Sequence, residues 1–231
     1  MVHANFVAVA LAVCLGPLAC AVQAAEPLTL SVRCEWASAD TAEIVTDIGF
    51  TVRLARGEVT SAGFAFVPCG DQKTERRTRP FDPAIVRIGH FSGALPNQLP
   101  VERVESLIER IPYTIEGFDP PDIDYCQAHI VMGATRGGMS LRIEGEYRSP
   151  GADTWQAFSV ATPEAHGAFV AMLSPDGRAL RGRLGSYRTV NVARPASGWF
   201  DGIDFRTASG VAVGHAVLRR IANGTKVTVG P

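Results

Sequence analysis

Leu28-Thr29-Leu30-Ser31-Val32-Arg33-Cys34 is the stretch that decides the fold reading. Leu28, Leu30, Val32 and Cys34 fall on one face of an extended chain, and Thr29, Ser31 and Arg33 on the other. The same two-residue rhythm returns at Phe50, Val52 and Leu54, at Phe64 and Phe66, and at Leu141, Ile143, Gly145 and Tyr147. It continues at Trp155, Ala157 and Ser159, then at Phe169, Ala171 and Leu173, before the hairpin-type turn Asp176-Gly177. Leu180 and Leu184, then Val190 and Val192, extend the series. Short alternating segments with turns between them predict a mainly-β fold, an antiparallel β-sandwich of the immunoglobulin-like or jelly-roll-like kind.

Two segments depart from the alternation. Val101, Val104, Leu107, Ile108 and Ile111 share one helical face, with Pro100 at the first position and Pro112 as a stop. This spacing predicts a mid-chain helix. Val211 to Ala222, followed by Asn223-Gly224, predicts a C-terminal helix, and Thr225 to Val229 a closing strand. Long loops are expected at Pro68–Pro83, which is basic, and at Phe118–Tyr125, which holds Asp119, Asp122 and Asp124.

The first 24 residues contain no Lys, Arg, Asp or Glu. Phe6 to Leu15 is apolar, Gly16-Pro17 breaks the run, and Val22-Gln23-Ala24 supplies the small residues of a cleavage site. This is the layout of a secretory signal peptide spanning 1–24, with 25–231 as a single domain. A lipid anchor at Cys20 is the less favoured alternative, because Pro17 stands where a leucine is usual. The expected location is the periplasm or the external medium, and the Ala-, Arg- and Gly-rich usage suggests a bacterial source. The chain carries 22 basic and 23 acidic residues, a net charge of −1. That balance argues against a nucleic-acid partner, and no later apolar run is long enough for a transmembrane span.

Beyond the leader the cysteines are Cys34, Cys69 and Cys126. Cys34 shares an apolar strand face and reads as a buried thiol. Cys69 and Cys126 each sit where a long loop meets a strand, so an oxidising compartment is expected to join them in a disulfide.

Candidate chemistry centres on soft ligands. Cys126-Gln127-Ala128-His129 with Met132 offers the donor types that select copper, and Cys and His also serve zinc. His90 and His166 sit at expected loop ends and could join His129 from neighbouring strands. The candidate metal set is therefore His90, His129, His166, Cys126 and Met132. A disulfide at Cys126 competes with this reading, and on a strand Cys126 and His129 face opposite ways. His215 reads as structural.

Gly89-His90-Phe91-Ser92-Gly93 misses the nucleophile-elbow pattern by one residue. The three loop aspartates lack a calcium-loop pattern. Arg178, Arg181, Arg183, Arg188 and Arg194 follow one another with no acidic residue between, a possible partner surface on an exposed face. Trp199 to Phe205 reads as an aromatic plug over the end of the sandwich.

These features favour a secreted, non-enzymatic binding or accessory protein whose ligand is a transition metal such as copper or zinc. The alternatives are an envelope protein or glycan partner on the Arg-rich face, and a periplasmic hydrolase whose residues converge from separate strands.

Overall fold

The computed structural model describes residues 29–37, 43–70, 95–134, 138–208 and 210–231. The leader, His90 and Ser92 lie outside them, as does the basic stretch Lys73–Arg79. In chain order the strands are β1 (Leu30–Trp36), β2 (Ile44–Val45), β3 (Thr51–Pro68), β4 (Gln98–Ser106), β5 (Tyr113–Phe118) and β6 (Tyr125–Met132). There follow β7 (Leu141–Arg148), β8 (Gln156–Thr162), β9 (His166–Leu173), β10 (Thr189–Arg194), the helix α1 (Gly210–Gly224) and β11 (Lys226–Gly230).

The alternation that named the strands also names the buried face of β1, β7 and β10. In β8 and β9 it names the outward face: Ala157, Ser159, Phe169 and Ala171 are exposed, and Val160, Ala168, Val170 and Met172 are buried. In β1, Leu30, Val32, Cys34 and Trp36 are buried while Ser31, Arg33 and Glu35 are more exposed. Val32 of β1 faces Val190 of β10, which faces Val229 of β11. Farther along, Phe64, Ile130 and Ala168 form a row across β3, β6 and β9. Such rows of branched and aromatic side chains remove apolar surface from water at about 25 cal/mol per Å².

The strands make one curled mixed sheet, a half-barrel, ordered β5-β1-β10-β11-β9-β6-β3-β7-β8, with β2 and β4 also on β3. The expected antiparallel sandwich is corrected in this respect: β1 pairs with β10 and β9 with β11 in parallel. Alternation fixes which residues face inward, but it carries no information on partner direction. Parallel neighbours need long connections, and here β10 and α1 lie between β9 and β11 in the chain.

The mid-chain helix is the second correction. Gln98–Ser106 is β4, an antiparallel partner of the middle of β3. Its Val101 and Val104 suit a strand as well as a helix, and the open edge of β3 gives this segment hydrogen bonds that an isolated helix would not. Pro100 is accommodated opposite Gly63 at a register shift. Beyond β4 the Ser106 hydroxyl accepts the N–H groups of Ile108 and Glu109 and turns the chain. Leu107 is then driven inward against Gly57, where a Cβ would stand 2.9 Å from the Leu107 Cβ.

The C-terminal helix stands as expected. Val213, Gly214, Val217, Leu218, Ile221 and Ala222 form its buried stripe, and Gly214 lets it approach Val160 and Thr162 of β8. Burying each of its large aliphatic side chains contributes roughly 1.5–3 kcal/mol. Its end is closed by Thr225, whose hydroxyl donates to the Ile221 carbonyl at 2.8 Å. The aromatic segment before it packs as a plug: Trp199 and Phe200 are fully buried, and Phe205 stacks on Tyr147 at 4.8 Å.

Cys69 and Cys126 form a disulfide, with Cα atoms 5.1 Å apart, between the end of β3 and the start of β6. Cys34 is a free, buried cysteine. No described helix is long and apolar enough to cross a membrane.

Candidate functional site

Pro163–Ala165 turns the chain from β8 into β9, whose first residue is His166. Over this turn lies the polar face of α1. His215, Arg219 and Asn223 are spaced four apart, so they line up along one side of the helix. Between turn and helix is a cleft of about 520 Å³, lined by Glu164, His166, His215 and Arg219 over a floor that includes Ala212 and Ala216. Its size is within the range of small-ligand sites.

His166 is the most constrained of these groups. The ring is hydrogen-bonded by Asn223, while its Nε2 is buried and has no partner among the described residues. Burial pushes the pKa of His166 down; the hydrogen bond with Asn223 is the next largest influence and opposes this, and the charges of Arg219 and His215 add smaller lowering effects. His215 is committed elsewhere: its Nε2 pairs with the Glu164 carboxylate on the surface. Among the described residues no carboxylate pairs with Arg219. The cleft thus presents a free guanidinium and an orphan imidazole nitrogen beside a carboxylate already occupied.

The five residues of the candidate metal set are not brought together. His166 lines the cleft. His129 is on β6, on the face opposite to Ala128, Ile130 and Met132, and stacks on Phe169 with centroids 4.3 Å apart. Its fit depends on Gly167, because a Cβ there would stand 2.7 Å from the His129 Nε2. Cys126 is in the disulfide, and Met132 is buried, its sulfur 3.6 Å from the Ser61 hydroxyl. His90 lies outside the described residues. Among those described, no three His, Cys, Asp or Glu residues are grouped to hold a metal ion.

Arg178, Arg181, Arg183 and Arg188 are exposed, on the connection from β9 to β10 rather than on a sheet face. Arg178 pairs with Asp176 and Arg183 with Asp122, while Arg188 donates to the carbonyls of Gly185 and Tyr187. Arg194 does not join them. It is 2 % exposed and donates to Glu105 of β4 at 2.6 Å and to the Ser61 hydroxyl at 3.0 Å. Ser61 in turn donates to Glu105, as does the Tyr113 hydroxyl at 3.0 Å. Burial opposes the Arg194 charge, but the paired Glu105 carboxylate leads the effects that more than offset it, and the guanidinium is held above its usual pKa. Burial also raises the Tyr113 and Cys34 values, keeping both neutral.

Reading the sequence missed both clusters, although each left a trace. Arg194 continues the inward series Val190, Val192. The four-residue spacing of His215, Arg219 and Asn223 marks one stripe of the expected helix.

Comparison with protein-family models, with curated proteins and with solved structures finds no match.

Proposed function

We propose that this is a secreted, non-enzymatic binding or accessory protein that takes a small ligand in the cleft between α1 and the β8–β9 turn. The observation that carries this reading is the buried Nε2 of His166, without a partner among the described residues, in a cleft that also holds Arg219, His215 and Glu164. A buried polar atom left unpaired costs about 1–3 kcal/mol, and a ligand that satisfies it recovers that loss. The earlier transition-metal reading retains only His166 of its five residues at this place. The secreted location rests on the leader and is supported by the Cys69–Cys126 disulfide. A second reading, contact with an envelope protein or glycan, is supported by the exposure of Arg178, Arg181, Arg183 and Arg188 on one connection.

The test is a thermal-shift series with sodium benzoate, inorganic phosphate and zinc chloride on the purified protein and on Arg219→Gln. A probe that raises the melting temperature of the parent and loses that effect in the variant supports the cleft. Probes that shift neither protein, or both equally, refute it.

A further inference from the structure

The cleft's free polar groups are not a random set. Arg219 can only donate, and it is uncommitted among the described residues. His166 lies close enough for the Arg219 charge to act on its ring. The potential acceptor of the cleft, the Glu164 carboxylate, is occupied by His215. What remains is an exposed cationic donor beside a ring nitrogen that lies just under the cleft surface and meets a ligand when the imidazole turns about its Cβ–Cγ bond. Below them Ala212, Ala216 and Leu218 give an apolar wall. No three metal-ligating side chains are grouped among the described residues, so the open groups do not describe a cation site.

We propose that the α1 cleft binds a small organic carboxylate, its oxygens held by the Arg219 guanidinium and by His166 through Nε2, with its apolar body on the alanine and leucine wall. This rests on the reading of the cleft as the ligand seat and goes further by naming the ligand chemistry. A guanidinium matches a carboxylate through two parallel hydrogen bonds, and hydrogen bonds of this charged kind are shorter and stronger than neutral ones. The second contact comes from His166, whose protonated ring donates through both nitrogens, one toward Asn223 and one toward the ligand. Binding therefore takes up a proton. The charged or titratable groups that face His166 are Arg219 and His215 on α1 and Glu164 on the turn, with the neutral Asn223 at the helix end. Arg219 and His215 oppose that proton while the cleft is empty, and a bound carboxylate offsets them. The Glu164–His215 pair keeps the acidic group of the cleft away from the anion.

Isothermal titration with sodium benzoate tests this, with inorganic phosphate and zinc chloride as the other arms, at pH 5.5 and 8.0. The expected result is that benzoate binds, at least threefold tighter at pH 5.5 than at 8.0, and more tightly than phosphate because phosphate cannot use the apolar wall. Arg219→Gln and His166→Phe each weaken benzoate at least tenfold. Arg219 is exposed on α1, so its variant keeps the parent's circular dichroism and separates loss of binding from loss of fold. Benzoate binding unchanged in Arg219→Gln, or tighter at pH 8.0, overturns the proposal. Zinc binding that requires His166, with no benzoate binding, also overturns it while leaving the cleft as the ligand seat. Binding by none of the three removes both.

Discussion

Arg194 of β10 and Glu105 of β4 form an ion pair at 2.6 Å although their strands share no backbone pairing. β4 hangs on β3, and β10 lies between β1 and β11 in the other arm of the curled sheet. No ladder joins β4 to β10 directly, the sheet connecting them only by way of β11, β9, β6 and β3, and the side-chain pair links them across the curl. Each side chain is 3 % exposed, so solvent screens the pair little, and the Ser61 and Tyr113 hydroxyls both donate to Oε1 of Glu105 while Arg194 donates to Oε2.

Breaking this pair leaves a buried charge without compensation. Arg194→Met is predicted to cost about 3–5 kcal/mol, and Glu105→Leu a similar amount. The double variant should lose clearly less than the sum, because no charge then remains inside. Urea unfolding of the four proteins in a double-mutant cycle measures this. Additive losses would mean that the two residues act independently.

The contact between Gly57 and Leu107 gives a second prediction. A Cβ at position 57 meets Leu107 at 2.9 Å, and overpacking of this kind costs about 1–3 kcal/mol. Gly57→Ala should destabilise by that amount, and combining it with Leu107→Gly, which removes the contacting Cβ, should cost less than the sum of the two single changes. If the second change only adds to the loss, β4 and its turn do not press on β3 as described.

Part of this was legible in the sequence. Alternation placed β1, β3, β7 and β9, and in β1 and β7 also the inward face, because a two-residue period maps directly onto a sheet with one buried side. In β9 it named the outward face, since Phe169 and Ala171 are exposed while Ala168, Val170 and Met172 are buried. The segment 98–111 was misread because Val101, Val104, Leu107, Ile108 and Ile111 satisfy a helical period while their β-branched members serve a strand equally well. The open edge of β3, a tertiary fact, decided between them. The Cys69–Cys126 pairing followed from loop and strand positions. Arg194 was grouped with exposed arginines, since a charge is normally outside; only its partner Glu105, 89 residues away in sequence, makes burial tolerable. The cleft was illegible for the same reason: Glu164 and His166 meet His215 and Arg219 only once α1 packs on the sheet.

The disulfide and the buried thiol predict a simple count. Under denaturing, non-reducing conditions Cys34 should be alkylated while Cys69 and Cys126 are protected, and in the native state Cys34 should resist as well, because it is 4 % exposed. The Cys69→Ser, Cys126→Ser double variant should be about 2–4 kcal/mol less stable. Peptide mapping and urea unfolding check both. Alkylation of Cys69 before reduction would contradict the pairing.

Burial holds the pKa values of His129 and His166 below the ordinary 6.5. The unfolded chain therefore binds more protons at these positions than the fold does. Stability from this source is fully present above about pH 6.5, and is lost as the pH falls through that value toward the lower folded values. Unfolding free energies measured from pH 7.5 to 5.0, without added ligand, should decline on the acid side. His129→Gln and His166→Gln should each flatten that decline. An unchanged slope in both variants would show that other groups set the acid sensitivity.

The cleft as ligand seat is tested most directly by following the imidazole nitrogen signals of the purified protein while sodium benzoate is added at pH 6.0. The account predicts that the His166 ring responds as its Nε2 gains a partner and its charge, that the neighbouring His215 moves with it, and that His129, stacked on Phe169, stays in place. Signals of His166 and His215 that remain fixed through the titration would contradict it.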